Sequence, residues 1–332
     1  MKKPPKIIRP IIFAVLLIFL GSCEQNEDLL DPLESDYWLT YNQSNSGIPG
    51  NQVRDIYTDS NGKMWFACYG NGIACFDGQK WTTYNSSNSP LNNNVKTILE
   101  DMDGDMWFGT TDGIYFLIDN SNWEYYPGED VTSMDVNKIF MDSDDDIWIG
   151  TEGSGFYLYS GEYIYGPIQF EENEGLNVVN DINEDAQGYT WIATDYAALK
   201  FNNEFWEITR YNEEYPPIEV IYSDSKDRLW IAADGGSTVI YYEAGVFNNL
   251  TLLNGQPNYF VRGIGEDGDG NLWFATFMDG IIKYDGTVMT SFKPYNGFPS
   301  EYNYCLESDN MGNIWVGTME HGALKYIPSV EF

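Results

Sequence analysis

The sequence predicts an all-β fold, a seven-bladed β-propeller of four-stranded antiparallel blades closed by an N-terminal strand that completes the last blade. Three observations carry this. Trp65, Trp107, Trp148, Trp191, Trp230, Trp273 and Trp315 recur at spacings of 42, 41, 43, 39, 43 and 42 residues, and a period of about forty marks a repeat architecture. Each copy is a set of short β-rich runs separated by turn residues, with no helical period. The opening Asp36-Tyr37-Trp38-Leu39-Thr40-Tyr41-Asn42-Gln43-Ser44-Asn45-Ser46 matches Gln79-Lys80-Trp81-Thr82-Thr83-Tyr84-Asn85-Ser86-Ser87-Asn88-Ser89 at the end of the first copy, whereas the last copy stops near Lys325-Tyr326.

The second copy shows the strands in order. An apolar pair, Val95 and Ile98, is followed by the acidic Gly turn Asp101-Met102-Asp103-Gly104-Asp105. A run from Met106 to Thr110 surrounds the tryptophan, and a second Gly turn leads to another apolar run. Asn122-Trp123-Glu124-Tyr125-Tyr126 supplies a fourth segment, as Lys80-Trp81-Thr82-Thr83-Tyr84 does in the first copy. Four strands per repeat make a propeller blade. Because the last copy lacks its fourth strand, the N-terminal segment is expected to supply it, which leaves no open sheet edge between the first and last blades. The repeated tryptophan reads as structural, since a ligand contact need not recur in every blade.

Ahead of the repeats, residues 1–22 read as a lipoprotein signal peptide. Lys2, Lys3, Lys6 and Arg9 precede a ten-residue apolar run from Ile11 to Leu20, too short to span a bilayer. Leu20-Gly21-Ser22-Cys23 looks like a lipobox, with cleavage before Cys23 and acylation of that residue. Residues 23–36 read as an acidic flexible tether and 37–332 as the propeller. The expected setting is an exported lipoprotein of the cell envelope, at the outer membrane and surface-exposed, attached to the membrane through its N-terminal lipid. Without residues 1–22 the chain has 13 basic and 51 acidic residues, a net charge of −38; such a surface repels nucleic acid. Of the four cysteines, Cys68 and Cys75 fall on neighbouring strands. A two-residue Gly70-Asn71 turn would pair Cys68 with Ile73 and leave Cys75 diagonal to it, too far to bridge.

The repeats resemble the two-component regulator propeller family. Its pattern of an apolar strand, Asp, a Gly turn, Leu/Ile-Trp-Ile-Gly-Thr and a second Gly turn is followed at Phe140-Met141-Asp142 through Ile147-Trp148-Ile149-Gly150-Thr151, and at Asp309 through Gly312-Asn313-Ile314-Trp315-Val316-Gly317-Thr318. The resemblance covers residues from about 37 to 326 and implies an extracellular sensing module. No kinase or DNA-binding segment follows the repeats, so the chain is expected to be a stand-alone lipoprotein form.

Two faces follow from propeller geometry. One carries the Asp turns between the first and second strands. Asp101, Asp103 and Asp105, with Asp142, Asp144 and Asp146, invite a calcium reading, but the glycine and glutamate of an EF-hand loop are missing. Asp side chains bonding their own turn backbone are the better account. The other face varies from blade to blade, and varied loops on a rigid scaffold are where binding resides. Its turns contribute Tyr69, Asp112, Glu152, Tyr196, Asp234, Phe277, Glu320 and His321. The residue after the first apolar position of each inner strand is Arg54, Lys96, Asn137, Asn180, Glu219, Arg262 and Tyr304 in turn. If that strand is innermost, these residues ring a channel mouth, where a cationic ring would suit a carboxylated ligand. Tyr69, Tyr196, Phe277 and Tyr304 offer stacking surfaces for sugar rings.

The expected function is a ligand-binding or sensing module for an oligosaccharide or an envelope protein. Two other classes stay open. One is a lyase or hydrolase using the single histidine, His321, with Glu320 as acid and base, since seven-bladed lyases share a similar blade pattern. The other is a scaffold in an envelope complex.

Overall fold

Each repeat places a short, mostly apolar run between two turns, and a run of this kind is stable only when neighbouring sheets cover both of its faces. The second strands show this: Met64–Cys68, Met106–Thr110, Ile147–Thr151 and Ile314–Thr318 are buried at every residue, with no in-and-out alternation. The computed structural model describes residues 33–35, 38–127, 134–161, 163–171, 173–201, 206–209, 217–233, 238–251 and 260–327. They form seven antiparallel sheets radiating from a central channel.

Blade 1 consists of β3 (Val53–Thr58), β4 (Met64–Cys68), β5 (Gly72–Phe76) and β6 (Trp81–Tyr84), from channel to rim, and blades 2 to 6 repeat this order. The inner strands of blades 2 to 7 are Val95–Glu100, Val136–Met141, Val179–Glu184, Ile218–Ser223, Phe260–Glu266 and Asn303–Ser308. Each packs against the next, and that of blade 7 packs against that of blade 1. The seven tryptophans lie between blades, none more than 4% exposed. The Gly of the Trp-x-Gly-Thr motif permits that approach. A Cβ on Gly109 would lie 2.6 Å from Val136 Cγ1, and one on Gly150 would lie 2.3 Å from Val179 Cγ1, the first inner-strand residue of the following blade in each case.

Ring closure matches the expectation. β2 (Trp38–Tyr41) is the fourth strand of blade 7 and pairs antiparallel with Ala323–Tyr326, Trp38 facing Tyr326 and Tyr41 facing Ala323. Trp38 is 1% exposed and packs edge-on against Phe298 at 4.7 Å and Trp273 at 6.1 Å. Aromatic pairs in this geometry add to the apolar area that they bury. One strand precedes it. β1 (Leu33–Ser35) pairs with β2 as a fifth strand of blade 7, so the sheet begins within the stretch that the sequence assigns to the tether. Residues 1–32, and with them the signal peptide and Cys23, lie outside the described residues. Among the described residues no helix is long and apolar enough to cross a membrane.

Cysteine register departs from the sequence reading. Cys68 faces Gly72 rather than Ile73, and Cys75 faces Trp65. The turn after β4 is longer by one residue, Tyr69-Gly70-Asn71 in place of Gly70-Asn71, and Gly70 and Gly72, at φ +81° and +93°, adopt the left-handed conformation around it. Cys68, Cys75 and Cys305 are free thiols.

Candidate functional site at the channel mouth

Every inner strand carries an irregularity at the same place. Pairing with the second strand skips from Val53 to Asp55, Val95 to Thr97, Val136 to Lys138, Val179 to Asp181, Ile218 to Val220, Val261 to Gly263 and Asn303 to Cys305. The skipped residues are Arg54, Lys96, Asn137, Asn180, Glu219, Arg262 and Tyr304, and all seven line the channel. A bulge leaves one residue out of the ladder and re-aims its side chain. Here seven bulges turn seven side chains to one opening.

The turns around that opening are pinned from below. Thr110, Thr151, Thr194, Thr276 and Thr318, each buried at the end of a second strand, donate through Oγ1 to the carbonyls of Gly113, Gly155, Ala197, Gly280 and Gly322 at 2.6–2.9 Å. The mouth therefore rests on fixed backbone.

Two sectors make up the ring. In blades 2 to 5 the polar groups bond along the ring, beginning with Lys96 on Asn137. Asn137 donates to Glu152 at 2.7 Å and to the Val179 carbonyl at 3.0 Å, while Asn180 donates to Asp195 and to the Ile218 carbonyl, each at 3.0 Å. Blades 6, 7 and 1 are aromatic and cationic. Arg262 lies 5.9 Å from the Phe277 ring centre, Phe277 is 6.2 Å from Tyr304, and the Arg54 guanidinium lies 4.1 Å from Tyr69 and 5.5 Å from Tyr304.

The three ring cations are not equivalent. Lys96 pairs with Asp135 at 2.5 Å and donates to Asn137 at 2.8 Å, and Arg262 is ion-paired with Glu219. Of the three basic residues that the sequence places in this ring, two are thus neutralised, because Lys96 and Arg262 each reach an acidic group of the neighbouring blade. Among the described residues Arg54 has no carboxylate partner, and its buried Nε has no hydrogen-bond acceptor.

Below the mouth the channel, about 750 Å³ in volume, holds a charged cluster. Lys138 pairs with Asp181 at 3.0 Å. Asp55 accepts the Ile98 amide of the next blade at 2.8 Å, Asp181 that of Ile221 at 3.0 Å, and Glu307 that of Thr58 at 3.0 Å. These carboxylates clasp adjacent inner strands as well as lining the channel. Burial pushes Asp55 up to about 6 even with Lys138 nearby. Burial, helped by Asp55, pushes Glu307 up to about 8, so Glu307 holds its proton at neutral pH. Burial alone would lower Lys138, but Asp181 and Asp55 outweigh it and hold the ammonium charged.

The opposite face is uniform. Asp59, Asp101, Asp142, Asp185, Asp224, Asp267 and Asp309 each accept the indole N–H of the tryptophan six residues later at 2.7–3.0 Å. At Asp101 the other oxygen accepts the amides of Asp103 and Asp105, and at Asp142 those of Asp144 and Asp146. Both oxygens of each first Asp thus serve the turn and the tryptophan, while Asp103 and Asp144 point to solvent. Among the described residues no three His, Cys, Asp or Glu side chains converge on a metal-sized site. Alternate blade junctions on this face are stapled as Glu100, Glu184 and Glu266 accept both the amide and the hydroxyl of Ser60, Ser143 and Ser225.

With this geometry the repeat can be matched to known proteins. The model of the two component regulator propeller matches residues 47–70, 89–112, 130–153 and 255–278, the stretches that enter blades 1, 2, 3 and 6. Those four stretches are two component regulator propeller repeats. Its fold superposes on the extracellular domain of a hybrid two component system from B. thetaiotaomicron with a TM-score of 0.77 at 25% identity, over 88% of this chain and 41% of that one. It is 27% identical over 177 residues to a histidine kinase of Formosa agariphila, 49% of this chain and 13% of the kinase. The chain therefore spans less than half the length of either relative. Virginiamycin B lyase from Staphylococcus aureus superposes with a TM-score of 0.74 at 15% identity, over 88% of this chain and 99% of the lyase, a likeness of fold.

The blades bring Arg54, Lys96, Glu152, Arg262, Phe277 and Tyr304 to the channel, with Tyr69 stacked on Arg54. The other candidates go elsewhere. Asp112 stays within its own turn, its Oδ1 2.7 Å from Thr110 Oγ1, and Tyr196 packs on the core between blades 3 and 4. Glu320 and His321 are exposed in the blade 7 turn and stand outside the channel lining. Asp234 lies outside the described residues. Asp55, Asp181 and Glu307 were missed by the sequence reading, although their place one or three residues beyond the ring register was a usable signal.

Proposed function

We propose that this chain is an exported, lipid-anchored propeller that binds a glycan fragment, or failing that a partner protein, across the channel mouth as the input element of an envelope sensing system. The observation that carries this is the set of seven bulges, which aims seven differing polar and aromatic side chains into one channel of about 750 Å³. That volume suits a small ligand. Likeness to an extracellular two component system domain supports a sensing role. Anchoring rests on the Leu20-Gly21-Ser22-Cys23 segment, and Cys23→Ser should release the protein from the membrane fraction.

The experiment is a thermal-shift screen of the purified protein against neutral and acidic oligosaccharides. A ligand at a hundred times its Kd adds about 2.7 kcal/mol. A shift that survives substitution of Asp103 and Asp144 on the opposite face, but not substitution of mouth residues, supports the proposal. No shift with any sugar would move the assignment to a protein scaffold.

A further inference from the structure

We infer that the ligand carries a carboxylate and that Arg54 is its receptor, which makes the mouth a site for an acidic sugar of the hexuronate type. This rests on the proposal that the mouth binds a small sugar. It narrows that proposal from a whole face to one guanidinium.

Buried polar atoms are almost always hydrogen-bonded, and one that is not calls for an explanation. Arg54 Nε is buried without an acceptor, and its guanidinium is held between the Tyr69 and Tyr304 rings. Tyr304 is itself positioned by a hydrogen bond from Gln52 at 3.3 Å. Aromatic walls orient a guanidinium but accept no in-plane hydrogen bond, so its fork is fixed and its donors are left over. A planar carboxylate is the natural bidentate partner of such a fork.

Charge selection points the same way. The protein carries a net charge of −34, so an exposed arginine has abundant acids within reach. Lys96 and Arg262 have found theirs at the same mouth; among the described residues Arg54 has none, and its neighbours are two tyrosine rings. Across the channel, blades 3 and 4 present Asn137, Glu152 and Asn180, and the Glu152 carboxylate keeps acceptor capacity beyond its one bond to Asn137. One end of the site therefore suits an anion and the other suits hydroxyl groups. A sugar acid has both.

The test is calorimetric titration with disaccharides containing glucuronate or galacturonate, and with the same disaccharides after reduction of the carboxyl to the alcohol. Native protein should bind an acidic disaccharide and lose roughly tenfold or more in affinity for its reduced form. Arg54→Met keeps an unbranched apolar stem between the rings and should show the same loss while leaving the Tm unchanged or higher. Arg54→Lys, which keeps the charge without the fork, should weaken acid binding severalfold and covers the case in which the Met variant fails to fold. Equal affinity for acidic and reduced sugars overturns the carboxylate inference and leaves the sugar site standing. Acid binding that is indifferent to both Arg54 substitutions places the receptor elsewhere and overturns it too, as does the failure of every acidic disaccharide to bind.

Discussion

The two faces of this ring are built from the same seven repeats, yet they differ in kind. On one, seven aspartates bond seven tryptophans with the same spacing and the same geometry. On the other, seven bulges at one register carry Arg, Lys, Asn, Asn, Glu, Arg and Tyr. A group that the blade itself needs must recur in every blade; a group that meets something at the common axis need not. Recurrence marks structure, and difference at equivalent positions marks where the chain was free to vary.

The largest effect should come from the uniform face. Asp185 accepts the Trp191 indole at 2.8 Å and pairs with Lys200 at 3.3 Å, whose side chain is only 12% exposed. Asp185→Ala strands a buried donor and a buried cation, and urea unfolding should show a loss of about 3–5 kcal/mol. A loss under 1 kcal/mol would mean that the turn is not what holds the blade.

Glu307 in the channel comes next. Its carboxyl lies at about 8 in the folded protein against an ordinary 4.5. Between those values the folded chain keeps a proton that the unfolded chain has lost, so stability falls as pH rises through that window. Glu307→Gln keeps an acceptor for the Thr58 amide and cannot titrate. Its stability should fall less between pH 5 and 8, by roughly 2–4 kcal/mol, in parallel denaturation series. Identical slopes for both proteins would remove Glu307 as the cause.

A smaller effect separates the Asp turns from one another. Gly62, Gly104, Gly188, Gly270 and Gly312 occupy a left-handed position in their turns, but blade 3 places Asp145 there at φ +68° and blade 5 places Asp227 at φ +64°. A side chain costs energy in that conformation. Asp145→Gly should therefore raise stability by about 0.5–1 kcal/mol, read as a higher Tm. The smallest effect belongs to the mouth: Glu152→Gln keeps an acceptor for Asn137 and should stay within about 0.5 kcal/mol of the native protein. If mouth substitutions cost as much as Asp185→Ala, the distinction between the faces fails.

By itself the sequence determined the repeat, the number of blades, the closing strand and the burial of the tryptophans. These rest on local pattern: a six-residue Asp-to-Trp spacing and a run of apolar residues between turns carry their own geometry wherever they occur. Tyr196 shows the limit of that kind of inference, since a tyrosine in a varied turn can fold onto the core as readily as onto a ligand. Tertiary structure decided which mouth residues face the channel and which of them are already satisfied. Arg262 finds Glu219 43 residues away, on the neighbouring blade. Gln52 meets Tyr304 across 252 residues because closure sets blade 7 beside blade 1. Arg54 lies at that same junction, between Tyr69 of its own blade and Tyr304 of the last. Pairings of this kind depend on distances that exist only once the ring has shut.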